Sequence, residues 1–151
     1  MSETEVILDD ETAGIPKLPV VASIIALIGL GDAVYLTVHH FTAVPVPCGI
    51  TGGCEAVLTS SYAEIGGVPI AAFGALAYFL AFSLSILTVF GNRMMWTLFG
   101  IQTFFMAAAS AWLIYLQAFV IKSFCQFCLI SAATSISLFV VYLISRSINK
   151  R

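Results

Sequence analysis

Four long apolar runs, nearly free of charge, decide what this chain can fold into. They extend from about Leu18 to Phe41, Val68 to Phe90, Met94 to Ile121 and Phe124 to about Ser145. Each is long enough to cross a bilayer as a helix, which takes about 20 residues. The second contains no charged residue at all. The chain is 60% hydrophobic and 9% charged, whereas soluble domains carry about 25% charged residues. A soluble bundle of buried helices is the alternative, but runs this poor in charge leave no polar face for water. The expected fold is an all-α membrane protein, a four-transmembrane-helix bundle formed as one domain from 151 residues. Membrane lipid is its medium. A net charge of −2 offers no basic field to nucleic acid.

The flanks and connections are unequal. Residues 1–17 are polar, acidic and aperiodic, which predicts a disordered tail ending near Pro16 and Pro19. The acidic start, Met1 to Glu11, also predicts no cleavable signal peptide, whose first region is basic. Gly91-Asn92-Arg93 joins the second and third runs tightly, and little more than Lys122 and Ser123 joins the third and fourth. The membrane domain is expected over residues 18–145, and residues 146–151 form a short basic tail. With the N-terminus inside, Lys17, Arg93, Arg146, Lys150 and Arg151 fall on the inner side and only Lys122 falls outside. The positive-inside rule then puts both termini in the cytoplasm of a multi-pass protein of the cell membrane.

The loop from Thr42 to Gly67 joins the first two runs and is far longer than typical connections, which argues for structure or function of its own. Within it, Cys54, Val57, Leu58, Tyr62 and Ile65 recur at the spacing of one helix face. A short amphipathic half-helix lying on the outer mouth of the bundle is expected. Gly52 and Gly53 break the chain before it, and Pro45, Pro47 and Gly49 keep the approach to Cys48 extended.

The chemistry lies in four cysteines. Cys125 and Cys128 form a C-x-x-C at the start of the fourth run; Cys48 and Cys54 form a second pair on the loop. The inferred orientation puts all four on the oxidising side of the membrane. Disulfide exchange needs an accessible thiolate, a neighbouring disulfide and freedom to approach it. Cys54 and Cys125 are both expected near helix N-termini, which favour the thiolate. A mobile loop pair beside a membrane-embedded pair reads as a relay. Electrons enter at Cys48, pass through Cys54 to Cys125, and leave from Cys128, the thiol deepest along the fourth helix. Structural disulfides and a four-thiolate zinc site are the alternatives. One C-x-x-C is half the usual zinc signature, and the Cys48–Cys54 spacing is loose for a knuckle.

Other polar residues in the spans carry less. Asp32 lies about 20 Å along the first helix at the usual rise, and an intramembrane carboxyl is a functional candidate by default. His39 and His40 are expected at the interface, and Gln102 and Gln117 are expected to bond across helices. Trp96 and Tyr142 fit an aromatic belt at the inner boundary. Gly74, Ala71, Ala75 and the alanines from Ala107 to Ala111 permit close helix approach. Phe73, Phe104, Phe105 and Phe127 are available to pack or to line a pocket.

Taken together, Cys54-x-x-Val57-x-x-Ser60, Gly67-Val68-Pro69, Phe73-Gly74-x-x-x-Tyr78 and Cys125-x-x-Cys128 resemble the vitamin K epoxide reductase family, in its bacterial and archaeal form. The run Gly31-Asp32-x-x-Tyr35-Leu36-Thr37 fits as well, so the resemblance covers the chain from about Leu18. It implies a four-helix bundle around a quinone, with the loop half-helix as a lid. It implies that Cys48 meets a thioredoxin-like dithiol protein, Cys54 relays to Cys125, and Cys128 faces the quinone. Ser60 looks like the family's serine near that quinone, and Phe73, Tyr78, Phe127 and Asp32 join it as candidate cofactor-binding residues. Many bacterial members carry a fused thioredoxin-like domain; here the chain runs only to Arg151, so a separate partner on the outer face is expected. The animal enzymes carry a Tyr where this chain has Ala132 and an Asn where it has Ile70. These departures favour disulfide formation with ubiquinone or menaquinone over reduction of a vitamin K-type epoxide. A transporter subunit using Asp32 as proton carrier, a structural membrane protein with inert disulfides, and a reductase working for its quinone product are the competing functions.

Overall fold

A computed structural model describes residues 17–50 and 52–150. The acidic tail, apart from Lys17, and Arg151 lie outside the described residues. Among the described residues, four helices are long and apolar enough to cross a membrane. Helix α1 spans Lys17–Thr42, and α2 is the five-residue half-helix Cys54–Leu58. A small hairpin follows, β1 (Glu64–Ile65) with β2 (Val68–Pro69), and leads into α3 (Ile70–Val89). Helix α4 (Arg93–Tyr115) runs into a π-helical turn, Leu116–Ile121, and α5 covers Gln126–Asn149. The chain is a multi-pass membrane protein of the expected class, a four-helix bundle with a half-helix in its long loop.

The order of contacts closes the ring. α1 packs against α3 and α5, and α4 completes the circle against α3 and α5. Lys17, Arg93, Arg146 and Lys150 share one end of the bundle, while Lys122 and the four cysteines share the other. The helices bury small residues such as Ala22, Ala26, Ala33 and Ala81 beside a few large ones, Tyr78, Phe99 and Leu138, whereas Ile24, Ile28, Phe79 and Leu87 are exposed. Without a hydrophobic drive between helices in lipid, close backbone approach and polar contacts hold such bundles together. Two aromatic rings exploit glycines for this. The Tyr78 ring lies on Gly29 and the Tyr142 ring on Gly100, so closely that neither glycine has room for a Cβ. Gln102 donates to the Ala77 carbonyl at 2.6 Å, tying α4 to α3 as expected of a bridging glutamine. The Ser85 hydroxyl donates to the Pro19 carbonyl, tying α3 to α1. At the end of the bundle away from the cysteines, Trp96 stacks on Phe99 and lies beside Tyr142.

The half-helix is shorter than its periodicity suggests. It ends at Leu58, and Tyr62 and Ile65 are exposed rather than continuing its buried face. The cause is the Gly66-Gly67 pair, both at positive φ, which closes a two-residue hairpin. The hairpin pairs Glu64 with Pro69 and Ile65 with Val68, and so claims the residues that would extend the helix. It also takes Val68 and Pro69 from the second apolar run, whose helix starts at Ile70. The fourth run is helical beyond Ser145, so Arg146 belongs to α5 rather than to a tail.

Candidate functional site

All four cysteines gather at one end of the bundle. Cys54, Val57 and Cys125 form a buried cluster against which Cys48, Leu58, Ile121, Phe127 and Cys128 pack. Cys48 and Cys54 are joined in a disulfide with a Cα–Cα separation of 5.8 Å. Cys125 and Cys128 are free thiols. Cys54 and Cys125 are fully buried, while Cys48 and Cys128 are partly exposed. The disulfide removes two of the four sulfurs that a four-thiolate zinc site would need.

Cys125 is held at the N-cap of α5, in extended backbone conformation. Its N–H donates to Gln117 Oε1 at 3.0 Å. The π turn brings Gln117 to that point, and Lys122, in the left-handed region at φ 57°, ends the turn. Departures of this kind inside a helix are frequent at functional sites. The Cys128 thiol donates to Cys125, the largest influence on it, and lowers its pKa to about 7. The Cys128 and Phe127 N–H groups act in the same direction, while burial and the Asp32 charge oppose it.

Below the C-x-x-C lies a cavity of about 810 Å³ with mainly apolar walls. Cys128 is the one cysteine on its wall, one turn above Ser131 and Ala132. Ser60, Phe73 and Tyr78 line it too, with Gln102, Gln117 and His40 as further polar handles. Volume and lining suit an apolar ring compound with a few polar groups. The Tyr78 hydroxyl ends among four oxygens of α5: the Ser131 carbonyl at 2.5 Å, Ser131 Oγ at 3.1 Å, and Thr134 Oγ1 and Ser135 Oγ at 2.7 Å each. Ser60 donates back to the Val57 carbonyl at 2.7 Å, which fixes it just past the half-helix. His40, at the end of α1, lies 3.8 Å from Glu64 of the hairpin.

Two of the expected cofactor residues stand off this wall. Phe127 packs on Tyr35 of α1, with ring centroids 5.2 Å apart, and belongs to the cysteine cluster. Asp32, one turn inward from Tyr35, is not on the wall either, yet its charge acts on both Cys125 and Cys128. Its Oδ2 is buried with no hydrogen-bond partner among the described residues.

Several contributors escape a reading of the sequence. Gln126, inside the C-x-x-C, accepts the Ile50 N–H at 3.0 Å and so touches the loop pair. Gly53 lies against the backbone of Phe124 and the side chain of Ser123, where a Cβ would stand 2.7 Å from the Phe124 carbonyl oxygen. The Ser131, Thr134 and Ser135 hydroxyls had one available signal, their recurrence at i, i+3 and i+4 from the motif's own helix face.

The comparisons agree with this geometry. The model of the Vitamin K epoxide reductase family matches residues 20–143. A thiol-disulfide oxidoreductase of Arabidopsis thaliana, LTO1, is 38% identical over 118 residues, covering 72% of this chain. The chain spans 31% of that relative's length. Both cysteine pairs, the half-helix and most of each of the four spans fall within the matched residues, and the chain belongs to the Vitamin K epoxide reductase family.

Proposed function

We propose that this chain is a membrane thiol-disulfide oxidoreductase that oxidises a thioredoxin-like dithiol protein and delivers the electrons to a quinone. The observation that carries the reading is a division of labour among buried sulfurs. Cys54 packs with Cys125 beneath the loop, and Cys128 opens onto the apolar cavity.

The exchange steps balance. A thiolate of the partner attacks Cys48, a partner–Cys48 disulfide forms, and Cys54 leaves as thiolate. The partner's second thiol attacks its own bridging sulfur, releasing oxidised partner and Cys48 as thiol. Cys54 attacks Cys125 of an oxidised Cys125–Cys128 pair, and Cys128 leaves. Cys48 then attacks Cys54, re-forming the loop disulfide and freeing Cys125. Two electrons and two protons have moved to the C-x-x-C, and the arrangement described above, loop oxidised and C-x-x-C reduced, corresponds to that stage.

A quinone in the cavity supplies an acceptor for two electrons and two protons. Ser60, Phe73 and Tyr78 would hold it, with Phe127 closing the cysteine cluster above. As the Cys125–Cys128 bond re-forms, two thiol protons must leave. Asp32, whose Oδ2 has no hydrogen-bond partner among the described residues, takes one of them. Cys125, already inclined to the thiolate, is the attacking sulfur of that closure.

The positions that differ from the animal enzymes, Ile70 and Ala132, both line the cavity. They present carbon where those enzymes present hydrogen-bonding groups, which supports disulfide formation over epoxide reduction. The basic residues at the opposite end support an outward-facing cysteine end and cytoplasmic termini.

A trapping experiment tests the entry point. A thioredoxin-like protein with its second cysteine replaced by serine should become linked to Cys48. Linkage to Cys54 or Cys128 in its place contradicts the relay order.

A further inference from the structure

The loop that carries Cys48 and Cys54 has two ties to the C-x-x-C end of the bundle. Gly53 rests on the Phe124 backbone and the Ser123 side chain, which brings the half-helix and its Cys54 down onto Cys125. The second tie is a hydrogen bond from the Ile50 N–H to Gln126 Oε1 at 3.0 Å. Its donor and acceptor both belong to redox motifs. Ile50 sits inside the ring that the Cys48–Cys54 disulfide closes, and Gln126 is the second residue of the C-x-x-C.

We propose that Gln126 is a positioning residue of the thiol relay, whose side-chain carbonyl latches the Cys48–Cys54 loop over Cys125. This rests on the relay reading given above. The ring explains why a latch is needed. While the disulfide is closed, holding Ile50 holds both sulfurs of the ring. Once a partner thiolate attacks Cys48, the covalent ring is open, and Cys48 must follow the partner outward while Cys54 stays with Cys125. The Gln126–Ile50 bond survives that opening, because neither atom is a sulfur. It keeps the segment before Cys54 seated during the step in which Cys54 attacks Cys125. Intramolecular exchange depends on the effective concentration of one thiol at the other, and this bond sets part of it.

The bland alternative is a surface hydrogen bond that adds only adhesion. It predicts the same change in general stability but no specific change in the Cys54–Cys125 equilibrium. The distinction can be measured without partner or quinone. In a Cys48→Ser, Cys128→Ser background, Cys54 and Cys125 are the only thiols left, and their disulfide is titrated against a glutathione redox buffer. The equilibrium constant is the effective concentration of Cys54 at Cys125.

Gln126→Leu, which keeps size and loses the acceptor, should lower that constant by about three- to tenfold, the range for one intramolecular hydrogen bond. Gln126→Glu keeps an acceptor oxygen and should restore most of it. Ile50→Pro removes the donor from the other side; Ile50 is not among the positive-φ residues, so this change does not require a left-handed proline. Combined with Gln126→Leu, it should cost no more than the larger single effect. An unchanged constant in Gln126→Leu overturns the proposal, as does an equal fall in Gln126→Leu and Gln126→Glu. Failure of the Cys54–Cys125 disulfide to form even with Gln126 intact overturns the relay itself, a separate outcome.

Discussion

The side-chain oxygen of Gln117 accepts the backbone N–H of Cys125 at 3.0 Å. This bond joins the π turn at the end of α4 to the first residue of the C-x-x-C, and both residues are buried. Gln117→Leu would orphan a buried N–H, at a cost of about 1–3 kcal/mol. The thermal midpoint in detergent should fall, and the alkylation rate of Cys125 should change with it. Gln117→Glu retains an acceptor and should lose less. Equal midpoints for the parent and Gln117→Leu would show that the bond contributes nothing.

The acidity of Cys125 has a pH signature. Its pKa is lowered to about 7, chiefly by the hydrogen bond from the Cys128 thiol. In the reduced protein, alkylation of Cys125 should rise with pH through about 7. Cys128→Ala removes the bond, and the midpoint should move up toward about 8.5, the usual thiol value. The linkage sign follows from a folded-state pKa below the unfolded one. The stabilisation is full above the unfolded thiol pKa and is lost as pH falls through about 7. Reduced protein should therefore lose stability from about pH 8.5 down to about 7 relative to Cys125→Ala.

The contact between Tyr78 and Gly29 sets the spacing of α1 and α3. A methyl at residue 29 overlaps the ring, and α3 or the ring must move. Gly29→Ala should destabilise by about 1–3 kcal/mol, the usual cost of overpacking. It should also disturb the bonds from the Tyr78 hydroxyl to Ser131, Thr134 and Ser135. A thermal scan of Gly29→Ala beside Tyr78→Phe separates the two effects, since Tyr78→Phe keeps the ring and removes only the hydroxyl.

Asp32→Asn keeps the shape of the side chain but cannot accept the thiol proton. Oxidation of one equivalent of dithiol partner by the loop disulfide should be unaffected. Continued turnover should fall by about 10²-fold, the lower end for loss of general acid–base assistance. Stopped-flow records of partner oxidation show the two phases separately; equal loss of both would remove Asp32 from the proton role.

Much of this was readable from residue order because it depends on composition and covalent spacing. Four runs nearly without charge admit little besides four spans, and the basic residues Lys17, Arg93, Arg146 and Lys150 share one end as their spacing implies. The cysteines were legible as two pairs because each pair is close in sequence. What escaped depends on three-dimensional approach. Gly29 and Tyr78 are far apart in the chain, and nothing at Gly29 marks it as the seat of a ring. Gln126 reads as a spacer of the C-x-x-C until the loop folds back to bring Ile50 within 3.0 Å. The half-helix was overextended because its periodicity continues into Tyr62 and Ile65, where the Gly66-Gly67 turn imposes a hairpin.

The central claim is that electrons cross from the loop pair through the C-x-x-C to a quinone. The most direct measurement follows ubiquinone or menaquinone reduction and oxidation of a thioredoxin-like dithiol protein in the same sample, with the protein in lipid nanodiscs. One quinone should be reduced for each partner disulfide formed. Cys128→Ala should abolish quinone reduction while still oxidising one equivalent of partner through the Cys48–Cys54 disulfide. Quinone reduction that persists in Cys128→Ala, or that proceeds out of step with partner oxidation, would contradict the account.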